Sequence, residues 1–271
     1  MAQGERDSVA SERAGIPATP AQRSAFMNDL AHELSTPLTP IAGYLKILLS
    51  ERLGKVTPQQ HKVLEGMTSA VAKLTRIVEN LSDFANLEAG PAAIAPAAVD
   101  PDALAAEVVQ EVRDPARDAR LHVEVRPSQG GAVLADPRKL RQALANVVQN
   151  AVKFSPHGGE VLVEVVREPD RLRFAVYDQG PGITTVRQQA IFDPFYHGDT
   201  APDSRQPGSR LGLPVARRIA EAHGGRIVVE SPPHSQPATG THLYTGTKFV
   251  IEIPARPANS SPPPPARVSG S

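Results

Sequence analysis

Residues 28–41 read NDLAHELSTPLTPI. A histidine stands at 32, with Glu33 beside it, Thr36 one helical turn further on, and prolines at 37 and 40. An imidazole in water is largely neutral at pH 7 and is a competent nitrogen nucleophile. Pro37 cannot donate the hydrogen bond that would reach the carbonyl of Glu33, and Pro40 leaves the carbonyl of Thr36 in the same position. Two missing bonds in succession make a bend cheaper than in an intact helix, so the prolines suggest a joint beside a reactive side chain. Taken alone, an exposed histidine is an ordinary surface residue and bundle packing can tolerate the prolines. The reading therefore depends on what else in the chain could use His32.

Three further segments carry chemistry. In NVVQNAVKFS, Asn146 and Asn150 are four residues apart, hence on one helix face, with Lys153 close behind. An amide oxygen is a hard ligand suited to Mg²⁺, and a lysine suits phosphate. Asp178-Gln-Gly180-Pro-Gly182-Ile183 directly follows the strand-like LRFAVY. A carboxylate there can accept a hydrogen bond from an adenine amino group, and the glycines let backbone approach a nucleotide. Finally, IFDPFY, containing Phe192 and Phe195, opens a polar stretch to about residue 209, a length of loop that is usually functional or disordered. It runs into Gly208-Ser209-Arg210-Leu211-Gly212-Leu213, where a helix begins and its free amides could face phosphates.

The elements that must position these residues fall into two regions. Residues 24–88 carry helical periodicity and are split by the turn-like GKVTP, which predicts an antiparallel helical hairpin. On its first arm Leu30, Leu34, Leu38, Ile41, Leu45 and Leu48 share one arc, and His32 lies about 165° from the centre of that arc, facing solvent. On the second arm, Leu64, Met67, Val71, Leu74, Val78, Leu81 and Ala85 form a coiled-coil seam. Val63, Ala70, Ile77 and Phe84 widen it beyond what one partner helix covers, so the hairpin is expected to dimerise into a four-helix bundle, the alternative being a hairpin packed on the other domain of its own chain. From about residue 99, strand-like runs (LHVEV, EVLVEVV, LRFAVYD, RIVVES, KFVIEI) alternate with two helix-like segments, DPRKLRQALANVVQNAVKF and LGLPVARRIAEAHGG. That predicts an α/β sandwich with helices on one face of a mixed sheet. The expected boundaries are a flexible leader at 1–22, the hairpin domain at 23–90, a linker at 91–98, the α/β domain at 99–255, and a disordered Pro-rich tail at 256–271.

Composition narrows the field. Lys+Arg and Asp+Glu are 29 each, which gives no argument for nucleic acid or an anionic membrane as partner. The absence of cysteine removes disulfides, thiolate metal sites and thiol catalysis. The most apolar stretch, IAGYLKILLS, is interrupted by Lys46 and falls far short of a bilayer span, so no membrane insertion and a cytoplasmic location are expected.

His32 to Thr39 resembles the H box of sensor histidine kinases, with Ser35 in place of the common arginine. The Asn146–Ser155 run resembles the family's N box, Asp178–Ile183 its G1 box, Ile191–Tyr196 its F box and Gly208–Leu213 its G2 box. The four ATP-site boxes come in the family's order, and together with the H box the resemblance covers about residues 24–254. It implies a Bergerat-type ATP-binding fold, ATP and Mg²⁺ as cofactors, and phosphorylation of His32 followed by transfer to an aspartate on the receiver domain of a response regulator. By the same match, Glu33 would orient the ring or accept its proton, and Thr36 would position water in a phosphatase reaction. Asn150 would be the main metal ligand, Asn146 its neighbour and Lys153 a phosphate contact. Asp178, Gly180, Gly182, Ile183, Phe192, Phe195, Gly208, Arg210, Leu211, Gly212 and Leu213 would line the nucleotide.

The departures are specific. Arg210 occupies the middle glycine of the G2 box, where a side chain either strains the backbone or places a guanidinium against the triphosphate. His197 stands where the F box usually has arginine. The segment SPPHSQPATGTHLYTGTKF is longer than the family's usual turn, and the sequence supplies no role for it. These keep two other readings open: a degenerate kinase acting as a dimeric scaffold or regulator-binding module, and a gyrase-like ATPase, which the H box disfavours. Input is expected to arrive through a separate sensor protein.

Overall fold

The computed structural model describes residues 20–88, 94–194, 196, 211–237 and 243–255. The described residues divide into two compact units, one built on the helical hairpin and one that begins ahead of Ala97.

The first unit is a helical hairpin. Helix α1, Pro20–Leu49, runs unbroken through Pro37 and Pro40, and starts within the segment expected to be a leader. The expected weak point is therefore a continuous helix. The threonine before each proline turns its hydroxyl back one turn: Thr36 Oγ1 donates to the His32 carbonyl at 2.9 Å and Thr39 Oγ1 to that of Ser35 at 3.2 Å. Helix α2, Pro58–Glu88, starts on a capping box. Thr57 Oγ1 accepts the Gln60 N–H at 3.2 Å and Gln60 Oε1 accepts the Thr57 N–H at 2.8 Å, satisfying two amides that the helix leaves unpaired. Ala31 and Leu38 of α1 pack against Val78, Val71 and Leu81 of α2.

Only part of the predicted apolar arc is covered. Leu38 and Leu45 are buried, while Leu34, Ile41 and Leu48 remain exposed, as do Val63, Met67 and Leu74 of α2. One antiparallel neighbour covers a strip about two positions in seven wide, and these helices carry a wider one.

The second unit is an α/β sandwich. After β1 (Ala97–Val99) come α3 (Pro101–Glu111), α4 (Arg113–Asp118), β2 (His122–Arg126), β3 (Val133–Ala135) and α5 (Pro137–Phe154). Then follow β4 (Glu160–Arg167), β5 (Arg171–Asp178), the short α6 (Arg187–Ala190), α7 (Gly212–Ala222), β6 (Arg226–Glu230) and β7 (Lys248–Pro254). The five-stranded sheet has the order β2-β4-β5-β7-β6, with β2 parallel to β4 and the other neighbours antiparallel. A separate antiparallel ladder joins β1 to β3, so the expected linker 91–98 ends inside a strand.

Strand periodicity decides what α5 covers. Val161, Val163 and Val165 of β4 are paired with Asp178, Val176 and Phe174 of β5, and all six are buried. Leu140, Leu144, Val147, Val148 and Ala151 give α5 a matching apolar face. Period two thus places the Asp178 carboxylate on the same side as Phe174 and Val176, at the end of the strand. The opposite face carries charges and one small apolar cluster, Leu162, Ala175, Tyr177 and Tyr244.

Helix α5 begins on Asp136, whose Oδ1 accepts the Lys139 N–H at 3.0 Å, with Pro137 at the first helical position. It ends at Ser155, which is extended (ψ 145°) because Pro156 follows.

Candidate functional site

In the helical unit, His32 is exposed on α1, as its position opposite the apolar arc predicted, and Glu33 beside it is exposed as well. Thr36 is exposed too, with its hydroxyl on the His32 carbonyl. Below this turn, Asn28 Nδ2 donates to Asn86 Oδ1 at 2.9 Å and Asn28 Oδ1 accepts from Ser82 at 3.3 Å, which ties α1 to α2 one turn before His32.

In the α/β unit, the Asp178 loop and the segment that opens α7 both reach α5, which carries the Asn146–Ser155 run. The side chain of Asn146 is buried, and its Nδ2 finds no hydrogen-bond partner among the described residues. A buried amide in that condition costs about 1–3 kcal/mol unless a ligand or water meets it. Asn150 is half-buried one turn on. The first residue of α7, Gly212, lies against Asn146: a Cβ there would come 3.5 Å from its Oδ1. Leu211 is buried and Leu213 half-buried. At the other end of α5, Lys153 lies over the exposed Phe154 ring, 4.9 Å from its centroid. The Phe154 carbonyl is 3.0 Å from where a Cβ on Gly180 would stand, so the Asp178–Ile183 loop abuts the end of α5.

Asp178 is the buried charge of this group. Its Oδ1 accepts the N–H of Gly180 at 2.8 Å and of Thr247 at 3.0 Å. Burial pushes its carboxyl up to about 6, against the pull of those two N–H groups. Its second oxygen has no hydrogen bond among the described residues, which leaves an acceptor free for an incoming donor. Phe192, the first aromatic of IFDPFY, is buried edge-on to Phe249 with centroids 6.4 Å apart, and the Arg217 guanidinium lies 5.8 Å above its ring. Phe195, His197, Gly208 and Arg210 lie outside the described residues.

The sequence reading missed Ser231, Gly246 and Thr247, all in the segment to which it gave no role. Gly246 cannot carry a side chain: a Cβ would stand 2.2 Å from Asp178 Oδ1 and 2.4 Å from Gly180 N. Tyr244 anchors the same segment on the far face of the sheet, its ring 5.5 Å from that of Tyr177. Both Tyr244 backbone groups bond to the Gln236 side chain at 2.9 Å. The repeated TGT was the available signal, a glycine beside a hydroxyl just before a strand.

Residues 22–90 match the family model for the His Kinase A (phospho-acceptor) domain, and residues 135–257 match that for the histidine kinase-, DNA gyrase B- and HSP90-like ATPases. The chain belongs to the two-component sensor histidine kinases. It is 33% identical over 237 residues to the circadian input-output histidine kinase CikA of Synechococcus elongatus, covering 86% of this kinase and 30% of that protein. It is also 33% identical over 245 residues to the sensor protein SphS of the same organism, covering 88% of this kinase and 56% of SphS. The kinase thus spans about a third to a half of the length of these relatives. Among solved structures, full-length ShkA in complex with AMPPNP superposes with a TM-score of 0.65 at 29% identity, covering 86% of this kinase and 46% of that chain. No helix among the described residues of the kinase is long and apolar enough to cross a membrane.

Proposed function

We propose that this chain binds ATP in the α/β unit, phosphorylates His32, and passes the phosphoryl group to an aspartate on the receiver domain of a response regulator. The observation that carries the reading is the half-satisfied polar lining of one face of α5 and its neighbours. Asn146 has a buried amide without a partner, and Asp178 has a buried carboxylate with one oxygen unbonded. Both fit a polar ligand that brings its own donors and acceptors. The complex of the related ShkA with AMPPNP supports an adenine nucleotide as that ligand.

The roles follow from chemistry. Asp178 accepts the exocyclic amino group of adenine, with Gly180, Gly182 and Ile183 letting the backbone lie against the base. Phe192, Leu211 and Leu213 shape the apolar wall and Gly212 approaches the phosphates, while the family resemblance gives Phe195, Gly208 and Arg210 parts in the same site. Asn150, with Asn146 beside it, suits Mg²⁺ through an amide oxygen, and Lys153 suits a phosphate oxygen. The metal, when bound, neutralises phosphate charge. The unprotonated ring nitrogen of His32 attacks the γ-phosphorus, an N–P bond forms as the bond to the ADP oxygen breaks, and the ring proton passes to Glu33. Positioning and charge neutralisation provide most of the rate. Thr36 would place a water for the reverse duty of dephosphorylating the regulator.

Two exposed apolar rows, Leu34, Ile41 and Leu48 on α1 with Val63, Met67 and Leu74 on α2, support a homodimer through a four-helix bundle. We place both domains in the cytoplasm, where ATP is available. Mixing labelled kinase with an isolated receiver domain tests the transfer. Label should move from His32 to the receiver aspartate, and His32→Gln protein should deliver none. Regulator binding by a protein that never takes label would favour a scaffold instead.

A further inference from the structure

Ser231 follows directly on β6, and its hydroxyl stands where three segments meet. Its Oγ accepts the Ile183 N–H at 2.7 Å and donates to the Gly246 carbonyl at 2.7 Å, with the Thr247 hydroxyl 3.4 Å away. A hydroxyl has one proton and two lone pairs, so these contacts use its whole capacity. The backbone of the same residue is held from outside: Gln188 Nε2 donates to the Ser231 carbonyl at 2.8 Å and to that of Ile183 at 3.1 Å.

The two segments joined by this hydroxyl are the two that hold Asp178. Gly180, three residues before Ile183, and Thr247, next to Gly246, both give their N–H to Asp178 Oδ1. They interlock at backbone distance, for a Cβ on Gly246 would stand 2.8 Å from the Gly180 carbonyl oxygen. On the other side, one on Gly182, where φ is +76°, would stand 3.0 Å from Ser231 Oγ. Because Asp178 Oδ1 accepts from both loops, the bond from Thr247 crossing between them, a change in their separation shifts the carboxylate. The phosphate-side groups Asn146, Asn150 and Gly212 sit on α5 and α7, which Ser231 does not hold.

We infer that Ser231 is a positioning residue for base recognition, its hydroxyl fixing the spacing of the 180–183 and 246–247 loops and so aiming Asp178 at the amino group of a purine. This rests on the nucleotide reading above. Without the hydroxyl, the Ile183 N–H and the Gly246 carbonyl lose their partner and the loops part. The loss falls on the base and not on the phosphates.

The test is an equilibrium titration of the full chain with the Mg²⁺ complexes of ATP, inosine triphosphate, which lacks the amino group, and tripolyphosphate. Wild type should prefer ATP to inosine triphosphate by about tenfold or more, as expected where a buried acceptor is left unmet by the analogue. Ser231→Ala should bind ATP about tenfold more weakly while the other two ligands change by less than about twofold. In His32 labelling, KM for ATP should rise and kcat should stay within about twofold. Ser231→Thr, which keeps the hydroxyl, should restore the preference. Should Ser231→Ala fail to fold, Ser231→Cys, similar in volume and weaker as a donor, carries the same comparison. A folded variant that keeps the wild-type ratio, or weakens all three ligands in parallel, overturns the inference. Wild type binding ATP and inosine triphosphate equally overturns base recognition by Asp178 itself, and this inference with it.

Discussion

Asp178 is buried at a cost to its ionised form that its two N–H partners offset only in part. Its rise from 3.8 to about 6 on burial corresponds to about 3 kcal/mol against folding at pH values above both. An asparagine at 178 keeps an oxygen for the Gly180 and Thr247 N–H groups and removes the charge. Asp178→Asn is therefore expected to melt at a higher temperature than wild type at pH 8 and to lose most of its ATP affinity. The sign with pH is fixed. The folded carboxyl holds its proton more tightly than the unfolded one, so the variant's advantage is full above pH 6, shrinks as pH falls, and vanishes below about 4. Thermal melts across that range check this. ATP affinity of wild type should fall as pH drops through 6, where the carboxylate gains a proton and ceases to accept freely.

At the scale of elements, one buried node ties three of them. Asp136 caps α5 through Oδ1, accepts the Ala95 N–H on Oδ2 at 3.0 Å, and gives its own N–H to His223 Nε2 at 3.1 Å at the end of α7. Because Nε2 accepts, the ring proton lies on Nδ1, which donates to the Ile219 carbonyl at 2.8 Å. Burial lowers the pKa of His223, so this tautomer contributes stability above the usual imidazole range that is lost as pH falls through it. His223→Gln should flatten that part of the pH–stability profile, measured beside wild type. Asp136→Ala should cost about 1–2 kcal/mol in denaturant melts of the full chain.

The same capping chemistry shows what the sequence made legible. Five strands and the helices α5 and α7 were readable because each is long enough to display its period, and His32 was readable because its face could be computed from α1. Helix α3 was missed although Asp100-Pro101 repeats the start of α5, with Asp100 Oδ1 accepting the N–H groups of Asp102 and Ala103. Strands β1 and β3 have three residues each, too few to show alternation. Ser231, Gly246 and Thr247 were illegible for a different reason. They meet the Asp178 loop from 48 to 69 residues away, Ser231 through its hydroxyl and the other two through backbone groups, and the TGT signal does not say which distant loop it will meet. The helix runs on through both prolines because loss of two N–H groups weakens a helix without having to break it.

For the whole molecule, the exposed rows of the hairpin make assembly the next question. Ile41→Lys combined with Met67→Lys puts charge into both rows without touching α5 or Asp178. Light scattering should show a dimer for wild type and a monomer for the pair, with ATP affinity within about twofold. A double variant that remains dimeric would place the interface elsewhere. The central claim, that nucleotide held by the α/β unit phosphorylates His32, is met most directly by incubation with γ-labelled ATP and Mg²⁺. Wild type should take up acid-labile label, and His32→Gln and Asp178→Asn should each take up almost none. Label that persists in His32→Gln, or phosphate release undiminished by that substitution, would contradict it.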